Sequence, residues 1–480
     1  RRMSEWTLSY EGFDAAEEGL REALCTAGNG YFATRGAAPE MDAGDVHYPG
    51  TYVAGLYNRL GTEMGGRVIE NEDLVNVPNW LPLQFRHEDE ESWFATDPNR
   101  MDDYRQELDV RRGVLTRSFV WLGSGGRRTL VTQRRFVSMR NPHLAGLETT
   151  FLAENWSGIL EVRSALDGTV VNAGVPRYRQ LNGEHLVPLG TEPVDEDGIS
   201  LTVETSQSRV EVAAAARTRV VADGSVVHVE RETAQAPGWI GQDMKVELLQ
   251  DHPVSVEKMV MLVTSRDRAI SAPGSHTRKR LGELESFQEA LEAHVLAWDH
   301  LWRRFHLSTD ASVETQRILN VHVFHLLQTV SKHTIDLDVG VPARGWHGEA
   351  YRGHVFWDEV FIFPFLNLHL PDLTRALLQY RYRRLPTARR AAAAAGVEGA
   401  MYPWQSGSSG REETQTMHLN PNSGNWLPDN SHLQRHINIA VAYNVWQYFQ
   451  ATGDVEFLAF YGAEMLVEIA RFWSSIATYN

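Results

Sequence analysis

The sequence predicts two architectures in succession: a large antiparallel β-sandwich, then helices arranged as an α/α barrel. Three observations predict this. Short runs rich in Val, Thr and Leu, broken by turn residues, fill the first half; a Ser/Pro/Gly stretch follows at Ser271–Ser275; and from Glu283 onward apolar residues recur at helical spacing. At 480 residues the chain exceeds one ordinary core, so size alone predicts two or more domains. The boundaries read as a β-sandwich over 1–270, a helical linker over 271–310 and a helical barrel region over 311–480.

The strands come first. Thr129–Val137, Ala145–Leu152, Leu160–Ser164, Ser208–Ala214 and Ser225–Glu230 have the β-branched content that suits a pleated, half-buried surface. Asn141-Pro142 and Asp223-Gly224 between them read as turns. Gly123-Ser124-Gly125-Gly126 reads as a hairpin turn, since it lacks the Lys and following helix of a phosphate loop. Gly28-Asn29-Gly30 reads as a tight turn before Tyr31-Phe32. The helices follow. Phe287, Leu291, Val295, Trp298, Leu301, Trp302 and Phe305 form one apolar stripe. Val313–Lys332 carries Ile318, His322, His325 and Leu326 on one side. Ser431–Thr452 carries Ile437, Val441, Asn444, Val445 and Tyr448 and stops at Gly453. Asp454 can cap the next helix, whose apolar positions include Leu466, Ile469, Ala470 and Trp473.

Composition narrows the function. A net charge of −16 repels phosphate backbones and anionic lipid, so no nucleic-acid or membrane partner is expected. Arg381, Arg383, Arg384, Arg389 and Arg390 cluster against that trend and read as a solvated helix face with local ion pairs. No run reaches 18 apolar residues, and Arg1-Arg2-Met3-Ser4-Glu5 lacks the apolar core of a secretory signal. The single cysteine, Cys25, permits no intrachain disulfide and reads as a small buried residue, and this cysteine usage fits a reducing cytoplasm. His432 and His436 have metal-ligand spacing without a Glu beside the first or a third ligand, so no metal is expected. The 14 Trp residues suit sugar rings as well as cores.

Two stretches carry chemistry. Ala343 through Glu359 is dense in Gly, aromatics and charges, and its Asp358 offers a carboxylate for vicinal hydroxyls beside the stacking surface of Trp357. Met401 through Thr414 sets Trp404 ahead of amide, hydroxyl and carboxylate groups, again suiting a polyhydroxyl ligand.

At these residues the chain resembles glycoside hydrolase family 65, which includes maltose, trehalose and kojibiose phosphorylases and some α-glucoside hydrolases. The resemblance rests on Glu22, Gly28-Asn29-Gly30-Tyr31, Arg35-Gly36, Glu40, Tyr48-Pro49-Gly50-Thr51-Tyr52, Ala54-Gly55 and Asn76-Val77-Pro78-Asn79-Trp80. It is strongest at Gly353-His354-Val355-Phe356-Trp357-Asp358, and continues in Tyr402-Pro403-Trp404 and from Ala451-Thr452-Gly453-Asp454 to Ala470-Arg471-Phe472-Trp473. It implies an N-terminal β-sandwich, a helical linker and an (α/α)6 barrel, of which 311–480 is the first part. It implies that Trp357 and Asp358 grip the transferred glucosyl unit, that Trp404 lines the same pocket, and that Arg411, Glu412, Glu413 and Thr414 fall in the acceptor-side loop.

The expected function is therefore inverting cleavage of a trehalose-, kojibiose- or maltose-type disaccharide, by hydrolysis or by phosphorolysis to glucose 1-phosphate. In the phosphorolytic case inorganic phosphate would be a co-substrate; in either case no organic cofactor is expected. The family's general acid, a Glu in a Gly-Pro-Asp-Glu type motif, is expected beyond Asn480, so the 480 residues alone would be inactive and would need the C-terminal remainder, a second copy as a homodimer, or both. Glu359-Val360 replaces the phosphorylases' Thr-Glu and leans toward hydrolysis. The alternative is a non-catalytic sugar-binding fragment.

Overall fold

The computed structural model of the chain describes residues 4–477. These divide into two compact units that are discontinuous in sequence. One holds the residues up to Tyr52, Asn76–Val171 and Leu186–Gln328; the other holds Val53–Val75, Asn172–His185 and the residues from Thr329 on. A reading by composition, with breaks at 270 and 310, does not anticipate the two excursions at 53–75 and 172–185.

The first unit is built on antiparallel sheets. Among the described residues, one sheet has ten strands: Thr7–Glu11, Met101–Asp109, Val114–Leu122, Arg128–Val137, Leu144–Ala153, Val254–Thr264, Glu211–Ala222, Gly198–Thr205 and Leu186–Val194 in order, with Ser225–Val227 paired to Glu211–Ala222. A second sheet orders Arg231–Ala236, Trp239–Leu248, Gly158–Asp167 and Leu83–His87. The expected strands are all present with shifted ends: Ser208–Ala214 becomes Glu211–Ala222, and Ser225–Glu230 shortens to Ser225–Val227. Asp223 and Gly224 take φ of 51° and 74°, the paired left-handed geometry of a tight hairpin turn.

The two sheets face each other. Ser164 and Thr218 join across them at 2.8 Å, and the rings of Phe85, Phe94, Trp121 and Phe151 interlock between them. Lys258 is fully buried there and donates to the carbonyls of Pro82 and Ala165 at 2.9 and 2.7 Å. With no carboxylate among these contacts, burial holds its pKa well below the ordinary lysine value. Phe287–Phe305 packs on the large sheet through Phe287, Ala290 and Leu291, against Val114, Phe136, Leu144 and Met259. Its first turn is closed by a capping box, in which Ser286 accepts from the Glu289 N–H and the Glu289 carboxylate accepts from Ser286. The Ser271–Ser275 stretch, expected as a linker, begins the helix Pro273–Leu281, which Pro273 starts because it needs no donor at that position.

The second unit is mostly helical: Glu359–His369, Pro371–Arg383, Leu385–Ala394, Ile437–Thr452 and Ala463–Ile476. Its core contains Phe363, Leu366, Leu377, Tyr380, Val445, Phe457, Ile469 and Phe472. Ile437–Thr452 ends at Gly453, whose φ of 67° is the left-handed cap that stops a helix, and Asp454 accepts from the Phe457 N–H at 2.8 Å to open the next. The expected start at Ser431 is corrected: residues 431–433 are a short 3-10 turn, and the α-helix begins at Ile437. No described helix is long and apolar enough to cross a membrane.

The arginine cluster is also corrected. Arg383, Arg389 and Arg390 do lie toward solvent, but Arg381 is 1% exposed and Arg384 7%. Arg381 donates to the Phe356 carbonyl at 2.9 Å and to Glu359 at 3.3 Å, and Arg384 donates to the Ser408 and Tyr380 carbonyls. A guanidinium has five donors, and acceptors inside the unit take those of Arg384 at Nε, Nη1 and Nη2 but those of Arg381 at Nη2 alone.

Candidate active site

Both chemistry-bearing stretches lie in the helical unit, and its backbone joins them. Val355 and Ser406 exchange two N–H to carbonyl bonds, both 2.9 Å, and Ala343 donates to the His354 carbonyl. This bridge places Trp357 and Trp404, each two residues from it, with ring centroids 6.3 Å apart and planes at 35°. His436, from the turn before Ile437–Thr452, completes the group, lying 5.2 Å from Trp357 and 4.8 Å from Trp404. Trp357 is 38% exposed, so its indole is presented rather than packed away.

Asp358 sits at the N-cap of Glu359–His369, makes no side-chain cap bond and is half-buried beside Trp357. The helix end gives its carboxylate a favourable field while leaving it able to accept from a ligand. Next to it, Glu359 is buried, paired to Arg381 and bonded to the Val341 N–H at 3.5 Å. Burial raises the Glu359 carboxyl above its ordinary range, against the pull of Arg381.

Trp404 is held from its own backbone. The Glu412 carboxylate accepts from the N–H groups of Trp404, Gln405 and Thr414, at 2.7, 3.2 and 3.1 Å, and from the Thr414 hydroxyl at 2.6 Å. The two remaining expected residues lie differently. Glu413 is 8% exposed and committed to Arg59; burial raises its carboxyl, opposed by the Arg59 bond. Arg411 is exposed and reaches Glu70 at 3.5 Å.

A second buried pair braces the neighbouring loop. Arg352 meets Asp73 at 2.9 Å and lies under Tyr178, 4.2 Å from its ring centroid. Burial would raise the Asp73 carboxyl, yet Arg352 and His185 hold it below the ordinary range. Tyr351, Arg352 and Gly353 all take positive φ, and a Cβ on Gly353 would stand 2.5 Å from that of Leu74. The expected residues thus fall into a presented group, Trp357, Asp358 and Trp404, and a supporting or rim group, Glu413 and Arg411. Reasoning from the sequence missed Arg59, Glu72 and the ring role of His436.

Among the described residues, Glu18, Glu22 and His47 of the sheet unit have a ligating geometry. Arg35, 3.3 Å from Glu22, already supplies a positive charge there. His432 and His436 are not in that group: His432 lies against the Asp429 carbonyl and His436 against the two indoles.

Sequence profiles match in two stretches: the glycosyl hydrolase family 65 N-terminal domain over residues 8–301 and the family 65 central catalytic domain over 320–480. The chain belongs to glycoside hydrolase family 65. An uncharacterized glycosyl hydrolase of Mycobacterium tuberculosis is 49% identical over 472 residues, which is 98% of this chain and 35% of that protein. The kojibiose phosphorylase of Caldanaerobacter subterraneus subsp. tengcongensis is 33% identical over 494 residues, covering 99% of this chain and 61% of that enzyme. The trehalose 6-phosphate phosphorylase of Lactococcus lactis subsp. lactis is 30% identical over 475 residues, covering 98% and 59%. A solved structure described as "Putative kojibiose phosphorylase from human microbiome" superposes with a TM-score of 0.84 at 22% identity, over 99% of this chain and 60% of that one, a likeness of fold. The chain therefore spans about a third of the mycobacterial family member and about three-fifths of the phosphorylases.

Proposed function

We propose that this chain belongs to an enzyme that cleaves a short α-linked glucoside with inversion, by phosphorolysis, and that it contributes the glucose grip. One observation carries the reading: the bridge between Val355 and Ser406 sets the Trp357 and Trp404 indoles side by side, with the Asp358 carboxylate adjoining them. An indole offers an apolar face to the C–H side of a pyranose, and a carboxylate accepts from two vicinal hydroxyls.

In this reading a phosphate oxygen attacks the anomeric carbon while the glycosidic oxygen departs with a proton from a carboxylic acid, giving glucose 1-phosphate and a free sugar. Phosphate carries its own charge, so no second carboxylate is needed to activate it. The names of the phosphorylase relatives support this choice. Glu359 does not support hydrolysis, because it is 2% exposed and paired to Arg381 instead of standing where it could activate water. No metal or organic cofactor enters the proposal, and the setting is the cytoplasm. Phe361, Leu368, Trp446 and Phe460 are all exposed on helices of the second unit. Apolar surface of that kind is normally covered, here by further chain or by a second copy.

The test is to incubate the full-length protein with trehalose, kojibiose, nigerose and maltose, with and without phosphate. Glucose 1-phosphate formed only in the presence of phosphate is the expected outcome. Free glucose released at equal rates in both conditions would make the enzyme a hydrolase. Binding of glucose with no turnover of any of the four would leave a sugar-binding module.

A further inference from the structure

The strands Thr51–Met64 and Arg67–Asn76 are joined at Gly65-Gly66, whose φ values of 57° and 75° form a tight left-handed turn. Most of this hairpin, Val53–Val75, belongs to the helical unit. It carries the residues that hold the 405–414 loop.

Arg59 pairs with Glu72 on the same hairpin at 2.9 Å. It also grips Glu413 with both terminal nitrogens, Nη1 to Oε2 at 3.0 Å and Nη2 to Oε1 at 2.5 Å. Glu72 in turn accepts from the Ser408 N–H at 2.6 Å and from the Ser408 hydroxyl at 2.9 Å. Its backbone carbonyl lies 2.7 Å from His354 Nε2, and His354 Nδ1 lies 2.9 Å from Gln405 Oε1. The approach is close enough that a Cβ on Gly407 would meet Glu72 Oε1 at 2.2 Å. Contacts at Gln405, Ser408 and Glu413 thus pin both ends and the middle of one loop. That loop has exposed Ser408, Ser409 and Arg411 along it and runs directly on from Trp404. A bidentate guanidinium–carboxylate pair is directional, so it fixes the orientation of the Glu413 segment as well as its distance.

We propose that Arg59 and Glu72 are positioning residues: they set the shape of loop 405–414 and, through it, the enzyme's choice among acceptor sugars. This rests on the α-glucoside reading above. Neither residue is assigned a contact with the transferred glucosyl unit, which is left to Trp357 and Asp358.

The test uses Arg59→Ala, Arg59→Lys and Glu413→Gln in the full-length protein, with Arg389→Ala as control, and two readouts. The first is amide exchange over 405–414. It should speed up at least tenfold in Arg59→Ala and less in Arg59→Lys, with 359–369 unchanged. The second is the kinetics on trehalose, kojibiose, nigerose and maltose. KM should rise at least tenfold for the preferred disaccharide, kcat should stay within threefold, and the ranking of the four should change. Unchanged exchange over 405–414 overturns the clamp. Faster exchange with the same ranking, or a loss confined to kcat, overturns its role in selectivity. A wild-type protein that turns over none of the four sinks the functional reading instead, and the exchange result still decides the clamp. Should Arg59→Ala fail to fold, Arg59→Lys and Glu413→Gln carry both readouts.

Discussion

His294 offers a test of the sheet unit that can be worked through from geometry. It lies on Phe287–Phe305, fully buried, with Nδ1 2.9 Å from the Met139 N–H and Nε2 3.0 Å from the Gly113 carbonyl. An N–H can only donate, so Nδ1 must offer its lone pair and Nε2 must carry the proton. A second proton would point at the Met139 N–H. Burial accordingly pulls His294 from its ordinary 6.5 down to about 4. Below pH 6.5 the unfolded chain takes up a proton that the folded chain refuses, so stability falls with falling pH until about pH 4, where both forms bind it. The gap between 6.5 and about 4 corresponds to about 3 kcal/mol in full, of which about 2 kcal/mol is lost by pH 5. The perturbation is His294→Gln, which keeps a donor and an acceptor but does not titrate. The assay is urea unfolding at pH 7.5 and pH 5, read by amide exchange across 287–305. The wild type should lose about 2 kcal/mol more than the variant between these two conditions. Equal losses in the two proteins would refute the neutral, doubly bonded imidazole.

Other expectations follow from single contacts. Asp358→Ala should abolish glucose binding measured by calorimetry, whereas Arg389→Ala, whose partners are Glu464 and Glu468, should leave it unchanged; equal affinity in both variants would remove Asp358 from the site. Arg381→Met strands the Glu359 carboxylate in the interior and should cost about 3–5 kcal/mol in urea unfolding. Adding Glu359→Gln to that variant should recover part of the loss. Gly353→Ala must hold φ at +66° and push a methyl against Leu74, and should cost about 2–4 kcal/mol by the same measurement; a loss under 1 kcal/mol would mean that the loop yields.

The site was legible where its chemistry is contiguous. Trp357 with Asp358, and Trp404 beside its polar followers, announce themselves because aromatic, glycine and carboxylate residues crowd into short stretches with no helical or strand period. The partner of Glu413 was not legible. Arg59 lies 354 positions away on a strand with nothing unusual about it. His436 was noticed for its spacing from His432, but its ring packs on two indoles from other segments. Arg381 and Arg384 read as surface charges because an arginine in a helical run normally is one. Their burial depends on Glu359 and on the Phe356 and Ser408 carbonyls arriving from elsewhere.

The amino-acid order alone determined the succession of strands and helices, the stop at Gly453, the cap at Asp454 and the family, since each depends on a repeat or motif within a few neighbouring residues. Tertiary structure alone decided that Val53–Val75 and Asn172–His185 leave the sheet unit, that Glu413 is buried, and which cation neutralises each carboxylate. The physical reason is that local backbone preference acts over one or two turns of chain, whereas ion pairing acts through space. Among 46 basic and 62 acidic side chains, only the folded path selects the few that meet.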